Sequence, residues 1–368
     1  MTLKRARFAS TSLICAAAIA CSASDARAQD DPSMFALSGF GTFAATHSSL
    51  STADFASNQF QASGAGASRN VDFEDDSKLG LQLQAHLTKK ISALVQVVAR
   101  EDYASRFRPT LVWANINYAF TPDFNVRVGR VEMPNFLAAD YSEVGYALPW
   151  VRVPRALYNL EPVTSSDGID ASYRMHFGSV TDTIRVIAGT TTFHTPGPFR
   201  ARGTGVLGLF DTIERGPLTW RVAYMHAHLQ LPFGPLSSTT VYMTGVSLDM
   251  SQWFVQAEIA RQTATGLSPG YIGGYATAGV RIARVTPYIT YAQAHSLDHT
   301  TVVPNMNFGE RDLSAGVRWD FAKNFDLKVQ YDHVSAPANS TGWFTNFGPG
   351  FHLGPSANVV TAAVDFVF

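Results

Sequence analysis

Apolar and polar residues alternate along most of the chain. From Lys78 to Thr88, Leu79, Leu81, Leu83, Ala85 and Leu87 share one face, while Lys78, Gln82, Gln84 and His86 share the other. From Ile169 to Phe177, Ile169, Ala171, Tyr173, Met175 and Phe177 oppose Asp170, Ser172, Arg174 and His176. Phe325, Leu327, Val329 and Tyr331 likewise oppose Asp326, Lys328, Gln330 and Asp332. A period of two is that of a strand with one apolar and one wet face. About sixteen such segments follow one another, at 35–46, 77–88, 91–100, 110–120, 124–131, 168–177, 182–190, 203–212, 218–228, 240–249, 253–262, 274–283, 286–294, 311–320, 325–334 and 357–368. No long amphipathic helix pattern interrupts them.

The connections alternate in length. Thr88-Lys89-Lys90, Thr121-Pro122-Asp123, Phe177-Gly178-Ser179, Arg215-Gly216-Pro217, Met250-Ser251 and Ala322-Lys323-Asn324 are tight, whereas 47–76, 132–167, 295–310 and 335–356 are long. Short turns on one side and long loops on the other are the asymmetry of a transmembrane barrel. The first long stretch, 47–76, is rich in Ser, Ala and Gly, with Ser48-Ser49 and 63–68, and is expected to be mobile. Phe120, Phe124, Trp319, Phe321, Phe325, Trp220, Trp253 and Tyr288 lie beside the short turns and predict an aromatic girdle there.

Composition sharpens this picture. Charged residues make up 15% of the 368 and aromatics 12%, against about 25% charged in an ordinary soluble chain. Mean hydropathy is +0.01, too low for helical spans of about 20 apolar residues. The aromatic content argues against disorder. A formal net charge of −1 leaves no basic excess for nucleic acid. Residues 1–28 read as a secretory signal: Lys4, Arg5 and Arg7, then the apolar run 13–20, then Ala26-Arg27-Ala28 as a cleavage site. A rival lipidation site ends at Cys21. Cleavage after Ala28 removes Lys4, Arg5, Arg7 and Arg27 against Asp25 and takes the net charge from −1 to −4. It also removes Cys15 and Cys21, so the remaining 29–368, a single barrel domain, is held without disulfides.

The last strand alternates Val360, Ala362, Val364, Phe366 and ends on Phe368, while Val128-Gly129-Arg130 closes the fifth strand and Met133-Pro134 comes after it. In these features, and in the small residues of Leu37-Ser38-Gly39-Phe40-Gly41-Thr42-Phe43, the chain resembles the Gram-negative general porins. The resemblance implies a 16-stranded antiparallel transmembrane β-barrel in the outer membrane, with an inward-folded constriction loop after strand five, here 132–167. It also implies a homotrimer, recognition of the C-terminal strand at Phe368 by the barrel assembly machinery, and contact with outer-membrane lipids and lipopolysaccharide. The acidic pattern of that family's constriction loop is not reproduced.

A barrel lumen is lined by polar side chains that set the field within it. Counted from the short turns, Arg127, Arg174, Arg185, Arg221, Arg281, Arg318 and Lys328 share a similar depth and predict a broken basic ring on the wall. The long loop supplies Glu132, Asp140, Glu143 and Glu161, with Arg152 and Arg155 nearby. Acids facing part of the ring would create a transverse field. Equally, the wall arginines could pair with Asp170, Asp182, Glu258, Asp312, Asp326 or Asp332 as plain wall structure. Gly203-Thr204-Gly205-Val206-Leu207-Gly208 fits a dinucleotide motif, but no helix pattern follows it. His226 and His228 read as an interfacial pair rather than a metal site, and Glu74-Asp75-Asp76 as a solvated loop end. The expectation is a passive channel for small hydrophilic solutes and ions, with no catalytic role, no cofactor and no metal. A plugged barrel serving as adhesin or anchor, and an outer-membrane hydrolase, are the alternatives.

Overall fold

The computed structural model describes residues 34–58, 61–104, 106–161, 163–194, 200–230, 237–265, 270–297 and 307–368. The expected signal 1–28 and Cys21 lie outside the described residues. Sixteen strands form the wall: β1 (Phe35–Ser48), β2 (Lys78–His86), β3 (Ile91–Glu101), β4 (Phe107–Ala119), β5 (Phe124–Glu132), β6 (Ser165–Phe177), β7 (Val180–His194), β8 (Arg200–Arg215), β9 (Leu218–Gln230), β10 (Ser237–Asp249), β11 (Trp253–Ala264), β12 (Tyr271–Val280), β13 (Val285–Ser296), β14 (Glu310–Ala322), β15 (Phe325–Ser335) and β16 (Ser356–Val367). Each pairs antiparallel with its neighbours in sequence. β16 then pairs with β1 from Phe40–Val367 to Ser48–Val359, closing a barrel that leaves none of the sixteen strands as an edge.

All sixteen expected strands are present. Most extend further at the long-loop end than alternation suggested. The segment expected at 182–190 runs from Val180 to His194, and that at 203–212 from Arg200 to Arg215. Thr190–Phe193 and Arg200–Thr204 lack apolar alternation, but their backbones keep pairing. The segment expected at 274–283 stops at Val280, because Ala283 turns the chain with φ 53°. The dinucleotide-like motif lies on β8, where Gly205 adopts φ 58° at a register shift.

Burial is inverted relative to a water-soluble protein. Leu79, Leu81 and Leu83 on β2 are each more than 40% exposed, as are Val329, Tyr331 and Val360 on β15 and β16. An apolar belt around the outside of a closed barrel is stable in hydrocarbon and not in water. Of the expected girdle, Phe120, Trp220, Trp253, Trp319, Phe321 and Phe325 are exposed on this outer surface. Tyr288 departs from it. It points inward, is buried, and its hydroxyl donates to Gln330 Oε1 at 2.7 Å, because it shares the face of Thr286 and Thr290 on β13.

The small residues of β1 serve the closing seam. A Cβ at Gly39 would strike the ring of Phe368, and one at Gly41 the ring of Phe366. The two glycines are notches into which the aromatic rings of the last strand fold. The Ser- and Gly-rich stretch, expected to be mobile, is tied down. Asp54 accepts bonds from Gly64 N, Ser68 N and Ser68 Oγ, and 54–55 pairs with 65–66 and 344–345 in a small sheet. The acidic end Glu74-Asp75-Asp76, expected to be solvated, is not: Asp75 and Asp76 are buried, Asp76 binds Arg152, and Glu74 pairs with Arg69.

Candidate functional site

The connection 133–164 turns into the barrel and threads across its interior. Its neck is pinned by Met133 N to Thr164 O (3.0 Å) and Asn135 Nδ2 to Val163 O (2.7 Å). Beyond the neck the loop meets inward-facing side chains nearly all around the wall. Leu137 N and Tyr158 OH both donate to Glu258 on β11. Trp150 Nε1 donates to Thr277 Oγ1 on β12 (3.1 Å) and Thr290 Oγ1 on β13 (3.0 Å), and Val151 N to Gln330 on β15 (3.0 Å). Two short 3₁₀ turns, Ala139–Tyr141 and Gly145–Ala147, and one turn of helix, α1 (Arg155–Tyr158), give the loop its shape. Gly145 sits where the loop touches the β16–β1 seam. A Cβ there would run into the Asp365 carboxylate and the Thr42 hydroxyl.

Apolar burial holds the loop on one side. Phe136, Leu148, Trp150, Ala156, Leu157 and Leu160 pack in one cluster with Phe210, Met225, Met243, Ala260, Tyr275 and Ala292 of β8–β13. Sequence patterning does not mark these wall residues, because an apolar residue on the inner face reads locally like any other strand residue. The long-loop side of the docked segment is ionic. Arg152 binds Asp76 (2.5 Å), Asp332 (2.8 Å) and Thr361, Arg155 binds Glu310 (3.0 Å), and the Arg155 guanidinium lies 4.1 Å over the Phe55 ring. Burial raises the Asp76 carboxyl, but the Arg152 guanidinium, helped by Lys78 and the Thr46 hydroxyl, more than offsets this and holds it below its ordinary value.

Six of the seven expected wall cations lie on the inward-facing side of their strands and Arg281 lies just past the end of β12, and they separate into groups. Arg127, Arg185 and Arg221 converge with Glu132, Asp140 and Asp170. Arg127 pairs with Glu132 (2.7 Å) and Asp170, Arg185 with Glu132 (2.9 Å) and Asp170 (2.9 Å), and Arg221 with Asp140 (3.5 Å) while donating to Phe136 O (2.7 Å). This cluster borders a cavity of about 550 Å³ lined further by Asn125, Tyr141, Thr183, Thr212 and Ser247. Arg318 and Lys328 form a second group beneath the seam. They bind the loop carbonyls of Tyr146, Leu148 and Gly145 and the carboxylates of Asp326 and Asp365. Arg281 sits at the short-turn rim with Asp249 (2.6 Å). Arg174, opposite Thr183, has no ion pair among the described residues.

The loop acids divide as well. Glu132 ends β5 and belongs to the wall. Asp140 reaches Arg185 (3.7 Å) and Arg221. Glu143 faces two cations outside the expected ring, Lys78 (3.7 Å) and Arg100. Segment 140–143 is therefore a strap linking β7 and β9 to β2 and β3, with one acid at each end and each acid held between two cations. Lys78 and Arg100 escaped the reading by depth because they stand at the long-loop end of β2 and β3. Glu161 faces no part of the ring. Its Oε1 accepts from Val163 N (2.7 Å), its Oε2 has no partner among the described residues, and burial pushes its carboxyl up to about 8. Of the acids offered as wall partners, Asp170, Asp326 and Asp332 pair with arginines. Glu258 instead accepts from the loop and Tyr275. Asp182 and Asp312 have no ion pair among the described residues. His226 and His228 lie on the outer surface, ring centroids 4.9 Å apart, bonded to Thr240 and Ser238. No group of three metal-ligating side chains occurs among the described residues.

No protein-family model and no curated sequence matches the chain. Among solved structures it is similar to an anion-selective porin from Comamonas acidovorans (TM-score 0.60, 13% identity, covering 91% of this chain and 99% of that chain). It is also similar to OmpF of Salmonella typhi in complex with daunomycin (TM-score 0.58, 12% identity, 91% and 97%). A loop-deletion mutant of OmpT, an outer membrane protein of Vibrio cholerae, gives TM-score 0.59 at 9% identity, covering 91% and 100%. At these identities the likeness establishes the fold: the chain is a sixteen-stranded antiparallel barrel of the porin kind.

Proposed function

We propose that the protein is an outer-membrane channel through which small hydrophilic solutes and ions diffuse, narrowed by the strap 140–143. The observation that carries this reading is the strap itself. Asp140 and Glu143 stand at its two ends opposite Arg185, Arg221, Lys78 and Arg100, and the polar cavity beside it is bordered by Arg127 and Glu132. Fixed charges of both signs across a narrow passage give a transverse field that orients dipolar solutes and disfavours apolar ones. In this reading Arg127, Arg174, Arg185, Arg221, Arg281, Arg318 and Lys328 line or support the water path. The short-turn end faces the periplasm and residues 1–28 are removed on export. Assembly as a homotrimer, contact with lipopolysaccharide and recognition of the strand ending at Phe368 by the assembly machinery belong to the same proposal. One similar structure is itself described as a trimer form.

The apolar packing of the loop against β8–β13 favours a second reading, a plugged barrel that anchors its loops at the cell surface. One experiment separates the two. Refolded protein in a planar bilayer is expected to give stepwise conductance, and Glu143→Gln is expected to shift the reversal potential in a KCl gradient toward anion preference. Correctly folded protein without conductance would overturn the channel and leave the plugged anchor.

A further inference from the structure

The outer surface of the barrel carries cations on one flank, toward the long-loop ends of its strands. Arg202, Arg261 and Arg311, near the long-loop ends of β8, β11 and β14, are each exposed between two buried neighbours, so each side chain leaves the wall on the outward face. None of the three has an ion-pair partner among the described residues. Exposed histidines stand between and beside them: His228 on β9, His295 on β13 and His333 on β15. The strand register makes the central part continuous. Arg261 lies opposite Ile272, Ile272 opposite His295, and Gln293 of the same strand opposite Arg311. The other flank differs. The outward positions of β2–β4 include Leu79, Leu81, Val95 and Leu111, and the outward Arg130 of β5 is neutralised by Asp167 at 2.7 Å. At the short-turn end of the basic flank the outward residues are Trp220, Trp253 and Trp319.

An outward guanidinium is costly at the bilayer midplane and tolerated at headgroup level, where an anion of the lipid can meet it. Its planar fork matches phosphate through paired N–H···O bonds. Arg261 and Arg311 are three strands apart, roughly 14 Å at about 4.8 Å per strand, too far to share one phosphate. We propose that the β8–β16 flank is a binding surface for a lipid whose headgroup carries two separated phosphates, with Arg261 and Arg311 each taking one, Arg202 adding a third contact and the imidazoles supplying hydrogen bonds at the same level. This rests on the membrane reading given above and names the face and the chemistry through which lipid is held.

The test uses the refolded full chain in detergent, titrated with diphosphoryl lipid A and, separately, with monophosphoryl lipid A of the same acyl chains, with bound lipid counted by native mass spectrometry. The expected result is about tenfold tighter retention of the diphosphoryl lipid, and loss of that preference in Arg202→Gln/Arg261→Gln/Arg311→Gln. Arg130→Gln, at the paired arginine, is expected to bind as the wild type does. Equal retention of the two lipids, or a triple variant that keeps the preference, would overturn the proposal. Heat-modifiable electrophoretic migration establishes that the triple variant is a closed barrel. Its conductance, expected to equal that of the wild type, reports on the channel reading independently of the lipid.

Discussion

Toward the loop, β8–β13 turn Phe210, Met225, Met243, Tyr275 and Ala292, while β2–β7 turn Lys78, Arg100, Arg127, Asp170 and Arg185 into the same lumen. One side grips the loop by removing apolar surface from water, a force without direction. The other fixes where its charges stand, through ion pairs that have direction but contribute modestly where solvent reaches them. A loop that must stay put and still present Asp140 and Glu143 to water needs both. The apolar side supplies the stability that the ion pairs, offset by the cost of taking charge out of water, do not.

Breaking the apolar side is expected to have the largest effect. Trp150→Ala removes a buried indole with two hydrogen bonds and an edge-on contact with Tyr275 at 5.7 Å. It should cost about 3–5 kcal/mol of loop docking and raise the single-channel conductance. Unchanged conductance together with a lowered melting temperature would mean that the loop stays docked without its anchor.

Glu161 sharpens the comparison because it is a carboxyl placed on the apolar side. Unfolded, it ionises near its ordinary 4.5, and folded it keeps its proton to about 8. Between those values folding takes up a proton, so this contribution to stability falls as pH rises from about 4.5 to 8 and is level above. Glu161→Gln should flatten that slope and stabilise the docked loop at pH 9 by up to about 5 kcal/mol, read from loop amide exchange at pH 5 and 9. A variant with an unaltered pH slope would assign the dependence to other groups. The smallest effect is expected at the rim. Arg281→Gln breaks a pair that is 38% and 54% exposed and should change stability by about 0–1 kcal/mol, with thermal melts of the two proteins superimposing.

The wall was legible in the sequence because its signal is local. Alternation of Leu79, Leu81 and Leu83 with Gln82 and Gln84 states both the strand and which face meets lipid. Tyr288 shows where that reading slips. Its place beside a short turn suggested the girdle, but parity along β13 with Thr286 and Thr290 decides its direction. The site was legible residue by residue and not as an arrangement. Arg127, Arg185, Arg221 and Asp140 were each recognisable as inward or loop charges. The pairing of Glu143 with Lys78 and Arg100 joins residues far apart in sequence, and no local pattern carries it. The apolar patch inside β8–β13 was hidden because alternation was read as lipid outside and water inside, and a docked loop makes part of the inside dry.

Closure has a kinetic consequence. Gly39 N donates to Phe368 O at 3.0 Å, and the Thr42–Asp365 bond joins residues 323 positions apart. Contacts of such separation give no reward until almost all the intervening chain is ordered, which slows folding. Until the rings of Phe366 and Phe368 drop into their notches, β1 and β16 are both open edges offering unpaired amides and carbonyls to any neighbouring strand. The seam is thus where a nascent barrel is most exposed to pairing with the wrong chain, and shape matching between glycine and phenylalanine favours its own last strand over a stranger's.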